Sequence, residues 1–291
     1  MNGVITKGIG GFYYVQTDCG LVECRARGKF RKMNISPQVG DNVEIELSEG
    51  EELKGSIEDI LPRKNVFIRP PVANIDSIIV TFAVKNPEPN LLLADKLTAA
   101  AVSMKVDCVI CINKIDLDLK KAEEYKEAYE KAGFKVILTS TKDMVGTELL
   151  KDVLKNKVSA LAGSSGVGKS SLINTIDESL SLKTGDLSKK IQRGRHTTRH
   201  SELFPLSFGG FILDTPGFSS FDISLVTQEN LAILFPEISK YSSACRFAGC
   251  HHVSEPDCAV KKALERGDIA KCRYESYKAL SEELKNLKPE Y

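Results

Sequence analysis

The 291-residue chain lacks a charge excess of either sign, since 40 Lys and Arg stand against 39 Asp and Glu. A near-neutral total gives no reason to expect a nucleic-acid or membrane partner, although an average can conceal local patches. Long apolar runs are also missing. The longest, such as Ile78–Val84, fall far short of the roughly 20 residues needed to span a bilayer. The opening residues Met1-Asn2-Gly3-Val4-Ile5-Thr6-Lys7 carry no apolar signal segment. Cysteine is sparse: eight in 291 residues is too dilute for a disulfide scaffold. There is no internal repeat and no low-complexity segment. Together these absences predict a cytoplasmic protein with reduced thiols and no membrane partner. A hydrophobic share of 42% and a charged share of 27% exclude wholesale disorder.

What is present divides the chain into three modules. Residues 1–68 hold short alternating segments broken by glycines, such as Gly10–Gln16, Leu21–Arg27 and Asp41–Leu47, which predict a small all-β barrel or sandwich. Pro70-Pro71 marks a boundary, because neither proline continues a ladder or a helix. From 69 to 223, apolar runs at 78–84, 108–112, 135–139, 158–162 and 211–213 alternate with helical stretches such as 91–104 and 120–132. That alternation predicts an α/β domain with a largely parallel sheet. In 224–291 the strands cease, and a Cys/His-rich loop leads into a polar helical tail at about 259–288.

Gly163-Ser164-Ser165-Gly166-Val167-Gly168-Lys169-Ser170 fits G-x-x-x-x-G-K-[ST] between an apolar run and a helical stretch opening at Ser171, the context a phosphate-binding P-loop requires. Glycines let backbone N–H groups turn onto phosphate oxygens, and the helix N-terminus adds positive potential. Lys169 is placed to reach the β- and γ-phosphates, and the Ser170 hydroxyl to bind Mg²⁺. Asn113-Lys114-Ile115-Asp116 supplies N-K-x-D after a strand. Its aspartate can accept hydrogen bonds from the guanine ring N–H and exocyclic amino group, donors that adenine does not offer there. The Lys114 stem can lie along the base. Ser140 is a weaker candidate, for a backbone contact to the guanine oxygen. Asp214-Thr215-Pro216-Gly217 closes an apolar strand, which places Asp214 to hold Mg²⁺ through water and the Gly217 N–H to sense the γ-phosphate.

The order of these motifs is informative. Small GTPases ordinarily run P-loop, switch I, D-x-x-G, then N-K-x-D. Here N-K-x-D (113–116) and 139–141 precede the P-loop (163–170), a switch-like stretch (191–199) and D-x-x-G (214–217), a circular permutation. With the metal-ligand spacing described next, the chain resembles the circularly permuted small-ribosomal-subunit biogenesis GTPases of bacteria over nearly its whole length. The resemblance implies a multi-domain fold: an N-terminal oligonucleotide-binding (OB) barrel, a central permuted P-loop GTPase domain and a C-terminal helical zinc-binding module. It implies a GTP hydrolase acting as a monomer, with the small ribosomal subunit and its 16S-type rRNA as partners and turnover raised by the docked subunit. It also places switch I in the basic stretch 187–200, with Thr197 or Thr198 completing Mg²⁺ coordination. Phe218 directly follows Gly217, and a phenyl ring cannot orient water by hydrogen bonding. The nearest polar candidate for that task is His196, which can equally be a solvent-facing histidine or an RNA phosphate contact.

Cys245-x₄-Cys250-x-His252-x₅-Cys258 sets three thiols and an imidazole within 14 residues, a Cys₃His set typical of one structural Zn²⁺ with no open position. Spacing alone allows His251 in place of His252; the resemblance favours His252. Cys108 and Cys111, three apart on a strand, face opposite sides and cannot share a metal. In the barrel, Arg25, Arg27, Lys29, Arg31 and Lys32 place five positive charges in eight residues near Phe12, Tyr13 and Tyr14. This arrangement suits RNA binding by an OB fold, although charge runs are often only solvated faces. Residues 37–59 carry eight acids against one lysine and mask that basic segment in the total. Two other readings fit the same motifs: a switch timing some other protein interaction, and an RNA-binding scaffold that uses GTP for stability without turnover.

Overall fold

The structure is a computed structural model that describes residues 1–48, 53–68, 70–180, 201–214 and 226–286. Strands β1 (Asn2–Ile9), β2 (Phe12–Thr17), β3 (Gly20–Ala26), β4 (Asn42–Leu47) and β5 (Lys54–Ile60) run in the order β1-β2-β3-β5-β4, and β4 pairs back onto β1 to close a barrel. The β3–β5 pair is parallel and the rest antiparallel, the connectivity of an OB fold. Alternation places Val15, Val22, Cys24, Val43, Ile45 and Ile57 inside. The β1–β2 hairpin turns on Gly10 and Gly11, both with positive φ (59° and 85°), as a two-residue turn matched to strand twist demands. Between β3 and β4 the basic segment forms one helical turn, α1 (Lys29–Lys32).

A two-residue pair, β6 (Val66–Phe67) with β7 (Val72–Ala73), straddles the double proline. The linker is held to the barrel by Arg63, whose Nε and Nη2 donate to fully buried Asp41 at 2.6 and 2.8 Å.

Next come β8 (Ser77–Ala83), α2 (Leu91–Ser103), β9 (Asp107–Asn113), α3 (Leu119–Lys131), β10 (Lys135–Leu138), α4 (Thr147–Leu154), β11 (Val158–Ala162), α5 (Lys169–Ile176), β12 (Glu202–Pro205) and β13 (Phe211–Asp214). The order β10-β9-β8-β11-β13-β12 is parallel except for β12. Every residue of β8 is buried, as a central strand covered on both faces requires. Residues of α2 and α3, among them Leu97, Ala101 and Tyr129, belong to the core on one face, and Leu150, Leu154, Leu172 and Ile173 of α4 and α5 to the core on the other. The edge strand β12 pairs with β1 at Lys7↔Glu202, so the barrel and the α/β domain form one 11-stranded sheet.

Helices α6 (Pro236–Ser242), α7 (Ala259–Glu265) and α8 (Lys271–Asn286) enclose a third core of Phe235, Ile238, Val260, Ala263, Tyr277 and Leu280, which also takes in Ala99 of α2. The expected single tail is thus two helices. Gly267, at φ 78°, stops α7: its N–H bonds the Leu264 carbonyl and the Asp268 N–H bonds the Ala263 carbonyl, a Schellman cap. Among the described residues, no helix is long and apolar enough to cross a membrane.

Candidate nucleotide site and metal centre

The loop 163–168 leaves the carboxyl end of β11 and opens α5 at Lys169, so Lys169, Ser170 and Ser171 form the helix's first turn. Backbone demand fixes two glycines here. Gly163 (φ 147°) passes so close to β8 that a methyl would overlap the Thr81 carbonyl oxygen, and at Gly168 (φ 99°) one would overlap the Asn113 amide. Gly166 also takes positive φ, at 80°, while Val167 is buried and Ser164 and Ser165 lie along the loop. Lys169 folds over the loop and donates to the Gly163 and Ser164 carbonyls, each at 2.8 Å. Burial of the ammonium pushes its pKa down to about 8.

The base motif meets this loop directly. Buried Asn113 ends β9 and donates from Nδ2 to the Val167 carbonyl at 2.9 Å. Lys114, in the left-handed region at φ 59°, donates from Nζ to the Gly166 carbonyl at 2.8 Å and to the Asn86 carbonyl. Asp116 is exposed in the short turn Ile115–Leu117 and accepts from the Ser140 hydroxyl at 3.0 Å. The N–H of Ser140 is taken by the Val145 carbonyl at 3.1 Å, so this residue reaches the base site through its hydroxyl rather than its backbone. Sequence reasoning missed two partners. Thr139 donates to Asn113 Oδ1 at 3.0 Å and orients that amide, and Asn86 offers the carbonyl that Lys114 meets. A threonine closing the apolar run 135–139 was the available signal for Thr139, and nothing local marks Asn86.

Asp214 is the last residue of β13, which runs parallel to the P-loop strand β11, so it lies at the same carboxyl edge of the sheet. A hydroxyl at Ser170 and a carboxylate at Asp214 are hard oxygen donors suited to Mg²⁺. His196, Thr197, Thr198 and Gly217 lie outside the described residues.

In the C-terminal module, one ligand atom each from Cys245, Cys250, His252 and Cys258 lies within 4.8 Å of the others. The Sγ atoms of Cys245 and Cys258 are 3.8 Å apart, and each is 3.4 Å from His252 Nδ1. A tetrahedral ion with metal–sulfur bonds of about 2.3 Å spaces its sulfurs by ~3.8 Å, so the set fits a metal of that size. His252 enters the cluster through a left-handed backbone (φ 61°), while neighbouring His251 is exposed. Glu255 shapes the loop by accepting the N–H groups of His251, Val253 and Ser254 at 2.9–3.1 Å, and Tyr274 donates to the His252 carbonyl at 2.7 Å. Cys108 and Cys111 pack into opposite cores of the sheet, and burial raises their thiols to about 12 and about 11.

On the barrel, Arg25, Arg27, Lys29, Arg31 and Lys32 are all exposed. The Arg25 guanidinium lies 4.5 Å over the Phe12 ring, and Arg27 is already paired with Glu46 at 2.7 Å and Glu58 at 2.5 Å.

The sequence profile of the RsgA GTPase family matches residues 60–224, and that of the RsgA N-terminal domain matches residues 2–57. The small ribosomal subunit biogenesis GTPase RsgA of Caldanaerobacter subterraneus is 50% identical over 286 residues, covering 98% of this chain and 96% of that one. The protein of the same name from Agathobacter rectalis is 48% identical over 298 residues, covering 98% and 99%. Among solved structures, YjeQ from Thermotoga maritima superposes with a TM-score of 0.83 at 37% identity, covering 99% of both chains. YloQ, described as a circularly permuted GTPase, superposes at 0.79 and 34% identity, covering 100% of this chain and 96% of the other. With a P-loop stapled to a base motif that precedes it in the chain, and with half its residues identical to a relative over nearly the full length, this chain belongs to the RsgA family of circularly permuted GTPases.

Proposed function

We propose that this protein binds the maturing small ribosomal subunit, contacts its 16S-type rRNA, and couples GTP hydrolysis to late maturation and its own release. The supporting observation is the direct stapling of the base motif to the phosphate loop through Asn113–Val167 and Lys114–Gly166, which prepares a guanine nucleotide site from segments 54 and 52 residues apart. In this reading Asp116, oriented by Ser140, selects guanine. The loop 163–168, Lys169 and the first turn of α5 hold the phosphates. Ser170, Asp214 and Thr197 or Thr198 hold Mg²⁺, which supplies charge neutralisation between the phosphates. Gly217 senses the γ-phosphate, and His196 positions the attacking water. The metal of the Cys₃His cluster is one structural Zn²⁺, since three thiolates and an imidazole leave no open coordination position.

We assign the barrel to residues 1–68, the GTPase domain to 69–223 and the zinc module to 224–291. The exposed run Arg25, Arg27, Lys29, Arg31 and Lys32 is the barrel's RNA contact. Arg25 stacked on Phe12 supports a base-stacking role, whereas Arg27 has to leave two carboxylates to reach phosphate. Relatives named small ribosomal subunit biogenesis GTPase support the choice of partner. Turnover measured with and without purified small subunits tests the proposal: stimulation by the subunit, falling steeply with salt, is expected. Equal rates with and without subunits would overturn it, pointing to a scaffold or to a different partner.

A further inference from the structure

Among the described residues, the β-ladder contact between barrel and GTPase sheet is the register pair Lys7↔Glu202. Lys7 Nζ lies 3.0 Å from both carboxylate oxygens of Glu202, with both side chains about one-third exposed. Glu202 is also the register partner of Asp214 on the next strand, β13. On the barrel side the row continues as Lys7↔Tyr14 and Tyr14↔Glu23, where the Tyr14 hydroxyl donates to Glu23 at 3.1 Å. Directly opposed residues of antiparallel strands share a face, so Glu202, Lys7, Tyr14 and Glu23 form one polar row.

We infer that Lys7, from the barrel, is a positioning residue for the Mg²⁺ side of the nucleotide site, acting by neutralising Glu202. This rests on the reading of Asp214 as a Mg²⁺ residue. Backbones of opposed residues are about 5 Å apart, so the Glu202 carboxylate adds negative potential where a dication binds unless a cation holds it. Lys7 is that cation. The barrel's seating on β12 thereby sets how much Mg²⁺ the GTPase domain needs. Pull Lys7 away, and the cation site becomes more negative; remove Glu202 instead, and it becomes more positive.

The opposite signs make the inference testable. The measurement is equilibrium binding of N-methylanthraniloyl-GDP to the full chain over a Mg²⁺ titration. A unit charge acting on a dication at about 8 Å in a water-like medium changes affinity by about fivefold. Lys7→Met is therefore expected to lower the Mg²⁺ midpoint about fivefold and Glu202→Gln to raise it by a similar factor. Lys7→Arg, which keeps the charge, stays within about twofold of the parent chain. Simple loosening of the barrel would shift Lys7→Met and Glu202→Gln in the same direction. That result, or the absence of a shift in both, overturns the inference. Asp214→Asn separates the two layers. If it leaves the midpoint unchanged, the reading of Asp214 fails and the inference with it; if it moves the midpoint while the other variants do not, the inference alone fails. Should Lys7→Met not fold, Glu202→Gln and Lys7→Arg carry the test.

Discussion

Replacing Arg273 with Met should release the metal module from the GTPase domain. Arg273 is fully buried on α8, yet it carries a guanidinium between two acids. Its Nε donates to Glu237 of α6 at 2.7 Å, its Nη1 donates to Asp95 of α2, and Nη1 also reaches the Thr98 hydroxyl at 3.2 Å. Tyr129 of α3 adds a second donor to Asp95 at 2.8 Å, and the guanidinium packs 4.6 Å from the Phe235 ring centre and 5.2 Å from that of Tyr129. Burial opposes its charge, but Asp95 and Glu237 outweigh that effect and hold it above the ordinary guanidinium value. Met fills much of the volume but leaves two buried carboxylates without their cation, a loss of about 3–5 kcal/mol. Hydrogen exchange along α8 then accelerates on the order of a hundred- to several-thousand-fold, at about 1.4 kcal/mol per decade. The deficit also has a pH signature. Burial already raises the Asp95 carboxyl while Arg273 opposes that rise, so in the variant Asp95 sits further above its unfolded value. The folded variant then binds more protons than the unfolded chain, so its deficit shrinks as pH falls from 7 toward 5. An exchange rate within threefold of the parent chain, or a deficit that does not change with pH, would refute the reasoning.

Lys169 gives a second pH test. Its pKa of about 8 in the free loop must rise when phosphates arrive, so nucleotide binding takes up a proton above pH 8 and none at pH 7. Calorimetry of GDP binding at pH 8.5 in buffers of different ionisation heat should show uptake of roughly three-quarters of a proton; zero uptake refutes it. Gly163→Ala places a methyl on the Thr81 carbonyl and should abolish nucleotide binding, with a stability loss of at least about 2 kcal/mol, seen by fluorescent-nucleotide titration and thermal melting; unchanged affinity would contradict the geometry. His252→Ala should drop bound metal from one equivalent to a small fraction and expose the C-terminal module to protease, whereas His251→Ala should do neither. Equal metal content in the two variants would remove His252 from the cluster.

Much of this was legible in the residues because the relevant signals are local. The P-loop glycines, N-K-x-D and the Cys/His spacing are short patterns whose chemistry depends on neighbours in sequence, and β8 announced itself as a continuous apolar run. What stayed hidden depends on long-range packing. Arg273 reads as one more charge on a polar helix until α2 and α6 are folded around it. Thr139 and Asn86 act through Asn113 and Lys114, 26 and 28 residues away; only the threonine's place at the end of an apolar run hints at the first contact, and nothing marks the second. Arg27 looked equivalent to its basic neighbours, but β4 and β5 bring Glu46 and Glu58 beside it. Among the described residues, the continuity of barrel and GTPase sheet rests on a single register pair that no periodicity encodes.

The permutation changes what the nucleotide site is connected to. β13, ending at Asp214, is the last strand of the sheet, so the chain passes from the phosphate end of the site toward the metal module. The same module is held a second time where α8 grips α2 through Arg273 and through Lys96–Glu283 at 2.6 Å. That helix begins just after the segment whose Asn86 meets Lys114 at the base end of the site. A body tied at two points can respond to nucleotide only by pivoting on the stiffer tie. The buried guanidinium with its two acids is the stiffer, because any opening strands charge away from water. The expected motion is therefore rotation of the metal loop and α7 about the α2–α6–α8 contact, not detachment of the module. Comparing hydrogen exchange in the GDP state with that bound to a non-hydrolysable GTP analogue decides it. Protection of 271–286, 91–103 and 236–242 should be equal in both states while that of 245–265 differs, and nucleotide-dependent exchange at Arg273 itself would show that the module comes off α2 instead.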